Sequence, residues 1–120
     1  MLAMAEATHV RTEVTRGVLV ATLTTNSLSD YESRVIGDQI QKEAPKGLWN
    51  IVLDFKQVEF MASAGIGMIL TLVHGAKAQK GKIVVANLND EIHKVLKMTK
   101  VDKLFTITPT LGEAMSKMGV

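Results

Sequence analysis

The sequence predicts an α/β fold: one domain with a mixed sheet of four to five strands and four helices, in the order β-β-α-β-α-β-α-β-α. Three observations predict it. Short apolar, β-branched runs alternate with longer segments whose apolar residues recur at helical spacing, the pattern that gives parallel neighbours. The first two strand-like runs are joined only by a turn, so they form the antiparallel part. At 120 residues, nearly half of them hydrophobic, the chain fits one domain with a proper core. The domain spans 1–120, with 1–7 as a flexible N-terminal extension.

Each element follows in order. Thr8 to Glu13 alternates loosely and reads as an edge strand, and Arg16-Gly17 as a turn. Val18 to Thr24 alternates more strictly, with Leu19, Ala21 and Leu23 on one face. Ser29 or Asp30 starts a helix to about Glu43 that turns Val35, Ile36 and Ile40 inward, and Pro45 and Gly47 end it. Trp49 to Phe55 is almost wholly apolar, as in a strand buried on both faces. Ile66, Ile69, Leu70, Val73 and Ala76 mark the next helix, closed by Gly81 with Lys77 and Lys80 in its last turns. Lys82 to Ala86 is a strand. Asn89 or Asp90 caps a helix carrying Ile92, Val95 and Leu96, and Leu104 to Thr108 is a last short strand. Pro109 precedes a helix with Leu111, Ala114, Met115 and Met118.

Composition excludes several classes of function. A net charge of +2 comes from lysines scattered among acids. The densest basic patch, Lys77, Lys80 and Lys82, reads as a solvated helix end. Basic and aromatic residues do not interleave, so nucleic acid is not an expected partner. There are no cysteines, which removes disulfides and thiol chemistry and fits a reducing cytosol. Residues 1–6 lack the basic and apolar regions of a signal peptide, and no apolar run approaches the roughly 20 residues that cross a bilayer. A cytoplasmic chain without membrane insertion is the expectation.

Catalytic, metal and cofactor chemistry finds no support. His9, His74 and His93 pair with nothing at metal-ligand spacing. His74 stands about 16 Å along the helix from Ser63, too far to serve as its base. Ser63 has Gly65 two residues after it but Met61 two residues before, so the nucleophile elbow is incomplete. Gly75 to Lys82 has its glycines one residue too far apart for a phosphate loop, and Ile83 stands where Ser or Thr is needed. Asp54 has no second carboxylate near it in sequence except Glu59. A small enzyme using Ser63 or Asp54 is the least supported class.

One stretch remains, Phe60-Met61-Ala62-Ser63-Ala64-Gly65-Ile66-Gly67. It sets a serine hydroxyl at a strand-to-helix junction beside backbone N–H groups with no helical partner. Such a side chain either caps the helix or carries a phosphate. Gly65 and Gly67 lie in the first turns, where glycine costs about 1 kcal/mol each relative to alanine. Close approach to the sheet or to a partner surface is the reason to expect.

Here the chain resembles the STAS domain family, in particular the bacterial anti-sigma factor antagonists. The resemblance rests on Ile51-Val52-Leu53-Asp54-Phe55, Val58-Glu59-Phe60-Met61 and Ser63-Ala64-Gly65-Ile66-Gly67. Downstream, Gly81-Lys82-Ile83-Val84-Val85-Ala86, Val95-Leu96, Leu104-Phe105 and Glu113-Ala114 extend it. It implies an anti-sigma factor with serine kinase activity as partner, phosphorylation at Ser63, and a PP2C-type phosphatase that resets the switch. Asp54, Met61, Ala62, Ser63, Ala64, Gly65, Ile66 and Gly67 are then the partner-binding residues. The resemblance further implies a module that is not an enzyme, needs no cofactor or metal, and regulates sigma-factor-dependent transcription. The family pattern has Asp where Ala62 stands and Ser or Thr where Ala64 stands. Those departures leave a second reading open: a scaffold subunit, never phosphorylated, of a regulatory or transporter-associated complex.

Overall fold

The computed structural model describes residues 9–44, 46–47 and 49–119, together with the backbone of residues 3–7. Its first strands are β1 (Ala3–Ala7), β2 (Val10–Thr15) and β3 (Val18–Leu23), joined as antiparallel neighbours. The sequence reading set 1–7 apart as an extension and gave the edge to the strand it began at Thr8, a residue outside those described. Residues 3–7 lie beyond β2, and β1 occupies the edge. Alanine has little strand preference, so only the backbone ladder identifies β1. The β2–β3 turn is Arg16-Gly17, both at positive φ (51° and 78°), as a two-residue hairpin of right-handed twist requires.

The chain continues through β4 (Ser27–Leu28), α1 (Asp30–Glu43), β5 (Asn50–Asp54), β6 (Phe60–Met61) and α2 (Ser63–Ala78). It ends with β7 (Lys82–Ala86), α3 (Asp90–Met98), a 3₁₀ turn at Val101–Lys103, β8 (Thr106–Thr108) and α4 (Leu111–Lys117). The main sheet runs β1-β2-β3-β5-β7-β8, with β3, β5, β7 and β8 parallel. The mixed α/β sheet, its four helices and the order of the long elements agree with the sequence reading. The expected helix stop at Pro45 lies outside the described residues.

Strand alternation divides the core. Leu19, Leu53 and Val85 face the layer of α1, α2 and α3, where Ile36, Ile40, Ile69, Leu72, Ile92 and Leu96 are buried against them. Val18, Val52, Val84 and Ala86 face the other way and pack on Ala114 of α4. Val95 shares α3 with Ile92 and Leu96 but not their burial. It turns outward at 40% exposure, because Ile92 and Leu96 already fill the inner face of α3.

Trp49 explains two glycines. A Cβ on Gly81 would lie 1.9 Å from the Trp49 carbonyl oxygen, and one on Gly75 would lie 2.4 Å from its ring. The left-handed residue that ends α2 is Lys80, at φ 58°, rather than Gly81. Gly81 is required by the close pass of the Trp49 backbone.

Candidate functional site

Parallel strands followed by helices gather the starts of α1, α2 and α3 at the C-terminal end of the parallel strands. Loops 24–29, 56–62 and 87–89 lie there. The loop before α2 is held on both sides. The Asn26 carbonyl accepts from the Glu59 and Phe60 N–H groups at 2.8 and 3.0 Å, and the Leu28 carbonyl accepts from Ala62 N–H at 2.9 Å. β4 and β6 thereby form a small parallel pair, Ser27 with Phe60 and Leu28 with Met61. On the other side, the Asn89 amide donates to the Val58 and Glu59 carbonyls at 3.3 and 3.1 Å, while its oxygen caps α3 by accepting from Ile92 N–H at 2.8 Å.

Asp54 belongs to this framework. It is buried, and its Oδ1 accepts from Lys56 N–H and from the Asn87 side-chain amide, each at 3.0 Å. It shapes the exit from β5 and lies beneath the surface.

The cap of α2 is Ala62, in extended conformation (φ −83°, ψ 172°), with no side-chain cap. Ser63 is the first helical residue and is exposed. Its hydroxyl has no hydrogen-bond partner among the described residues, so capping does not occupy it. The first turn of α2 has no acidic residue. The helix therefore presents partial positive charge and open N–H groups toward solvent beside a free hydroxyl.

The neighbours of Ser63 divide by task. Gly65 is buried, and a Cβ there would lie 2.4 Å from Met61 Cγ and 3.3 Å from Leu28 Cβ. It lets the helix start sit on β4 and β6. Gly67 is exposed, with nothing within 4 Å of where its Cβ would be. No packing among the described residues calls for it. Ala64 lines a groove of about 380 Å³ between α1 and α2, with Arg34 and Asp38 on the facing helix. Met61 borders a smaller groove toward α3. Ile66 is half-buried against the core.

The sequence reading named Ser63 and its flanks, and the structure brings them together at one helix start. It gave no role to Asn26 or Asn87, which help hold the loop. Asn89 was legible as a cap, but nothing in the sequence signals that the same side chain crosses to residues 58 and 59.

The sequence profile of the STAS domain matches residues 9–114. The chain belongs to the STAS domain family. A relative is the anti-sigma F factor antagonist of Paenibacillus polymyxa, 27% identical over 115 residues that cover 93% of this chain and 96% of that one. Among solved structures, this STAS domain is similar to an anti-sigma-factor antagonist (STAS) domain protein from Planctomyces limnophilus. The TM-score is 0.83 at 19% identity, covering 92% of this chain and 98% of that one. It is also similar to the Bacillus cell fate determinant SpoIIAA in its phosphorylated form, with TM-score 0.65 at 20% identity over 98% and 99% of the two chains. At these identities the structural likeness speaks for the fold. No described helix of the STAS domain is long and apolar enough to cross a membrane.

Proposed function

We propose that this STAS domain is an anti-sigma factor antagonist of the bacterial cytoplasm, a non-enzymatic module that docks on an anti-sigma factor with serine kinase activity. Phosphorylation of Ser63 releases that partner, a PP2C-type phosphatase restores binding, and sigma-factor-dependent transcription follows the balance. The observation that carries the reading is the exposed, unpartnered Ser63 hydroxyl at an uncapped helix start with no acid in its first turn.

The physics supports a switch that leaves the fold intact. A phosphate adds about −1.5 to −2 charges at pH 7. At the α2 start that charge meets open N–H groups and a favourable dipole, worth about 0.3–1 kcal/mol to the free domain. A partner seated over Ala62, Ser63, Ala64 and Gly67 would bury the same dianion at much greater cost. Met61, Gly65 and Ile66 shape that surface from below, and Asp54 positions the loop. Among the described strands the order does not reverse, so they form no switch-point crevice of the kind that takes a cofactor. That favours surface docking.

The test pairs two measurements. Incubation with the cognate kinase and ATP should place phosphate on Ser63, mapped by mass spectrometry. Ser63→Glu should weaken partner binding by about 100-fold or more, while Ser63→Ala stays bound. Label on another residue, together with unchanged binding by Ser63→Glu, would overturn the switch. Ala62 at the cap favours a second reading, the unmodified scaffold of a regulatory or transporter-associated complex. There Ser63→Ala behaves as wild type and Ser63 never carries phosphate in cells.

A further inference from the structure

Beside the Ser63 junction, β6 and α3 enclose a groove of about 140 Å³ lined by Glu59, Phe60, Met61, Glu91, Ile92 and Val95. Part of its apolar wall is exposed, while Ile92 at its base is buried. Phe60 is 58% and Val95 40% exposed, and Met98, one turn beyond Val95, is 73% exposed. Exposed apolar residues gathered on one face of a domain mark an interaction surface more often than scattered ones do. Size decides the class of occupant. Small-molecule and cofactor sites usually measure about 300–1,000 Å³, so this groove fits one side chain of a larger partner.

Charge decides the partner's chemistry. The two ionisable residues of the lining are both carboxylates, Glu59 and Glu91, and Asp90 stands beside Glu91 on the same helix start. The lysines of α3, Lys94 and Lys97, are not part of the lining. We propose that this groove receives an apolar side chain of a protein partner from a segment that also carries lysine or arginine, the apolar group entering between Phe60 and Val95 and the cations meeting Glu59 and Glu91. The groove is continuous with the junction through Met61, so it forms the α3 side of the docking surface. This rests on the reading that a partner docks at the α2 start, and it adds which residues that partner must present. The cation pairs steer the encounter and set orientation, while the apolar anchor supplies affinity.

The test separates the groove from the switch. Amide NMR spectra of the full chain are recorded with the acetylated, amidated peptide Arg-Leu-Arg and with Glu-Leu-Glu. Shifts at Met61, Ile92 and Val95 with the first peptide only, lost in Glu91→Lys, support the groove. Equal shifts with both peptides, or none with either, overturn it. Against the cognate anti-sigma factor, Val95→Lys and Glu91→Lys should each weaken binding by about tenfold or more. Both positions are exposed, and the amide spectrum checks the fold of each variant. If Ser63→Glu abolishes binding while both groove variants bind as wild type, the switch stands and the groove proposal fails. If the groove variants lose binding while Ser63→Glu does not, the groove stands and the switch fails. A concentration-dependent dimer abolished by Val95→Lys in sedimentation would assign the groove to a second copy of the chain and overturn the proposal.

Discussion

α1 and α2 start at the same end of the parallel strands and pack against each other, yet they begin in opposite ways. At α1, Ser29 stands at the cap position and forms a capping box with Glu32. Its N–H donates to Glu32 Oε1 at 2.9 Å, its hydroxyl donates to the same oxygen, and Asp30 adds a second acid to the first turn. α3 has Asn89 as cap with Asp90 and Glu91, and α4 has Thr110 with Glu113. α2 has Ala62 and no acid. Where a helix start serves stability alone, this sequence supplies a cap and a counter-charge. At α2 it supplies neither, and stability comes from burying Gly65, Met68, Ile69, Leu72, Val73 and Ala76. The start of α2 is thereby left open to an incoming group.

The contrast can be broken in order of effect. Asn89→Ala should cost most, about 2–3 kcal/mol in urea unfolding, because it removes both the cap of α3 and the bonds to Val58 and Glu59. A loss near 1 kcal/mol would mean the cap alone matters and the loop before Ser63 is held without it. Ala62→Asp should stabilise the domain by about 1 kcal/mol, since the extended backbone at that position suits an N-cap and the Ala64 N–H ahead of it has no partner among the described residues, the Gly65 N–H already donating to the Ala62 carbonyl at 2.9 Å. Absence of any gain would show that the α2 start is already satisfied, and the comparison with α1 would collapse. Gly67→Ala should raise stability by about 0.5–1 kcal/mol while weakening partner binding in a titration. A variant that gains stability and loses no affinity would leave Gly67 without a docking role.

The smallest effect concerns pH. Hydrogen bonds from the Ser29 side chain and then its backbone hold the Glu32 carboxyl below its ordinary pKa. The folded pKa is the lower one, so the unfolded chain takes up the proton first as pH falls. The contribution is fully present above the ordinary glutamate value of about 4.3 and is lost as pH drops through the depressed folded value. Glu32→Gln should remove that part of the acid sensitivity, read as a flatter Tm against pH. α2 has no counterpart, so no Ala62 or Ser63 variant should flatten the curve in that range.

The long elements were legible because each carries its own periodicity. Leu19, Ala21 and Leu23 alternate, and Ile69, Val73 and Ala76 repeat at helical spacing. β4 and β6 were not legible. Each is two residues long, and their pairing is a contact between distant segments that leaves no local pattern. β1 was hidden by alanines, whose preference runs against the strand they form. At the site, the family pattern pointed to Ser63. The reason for Gly65 lay in Met61 and Leu28, and the position of Val95 in the prior claim of Ile92 and Leu96 on the inner face of α3. Such facts belong to packing, and packing is settled only when the segments meet.

Trp49 has a practical consequence. It is the one tryptophan of the chain, and it is buried where β5 begins, against Gly75 and Gly81 near the end of α2. Ser63 lies at the other end of that helix. The one tyrosine, Tyr31, is exposed in the first turn of α1, edge-on to His9 at 5.9 Å, on the same side of the sheet as Ser63. The molecule thus carries two optical reporters at opposite poles. Indole emission follows the integrity of the fold, and phenol emission follows events at the docking edge.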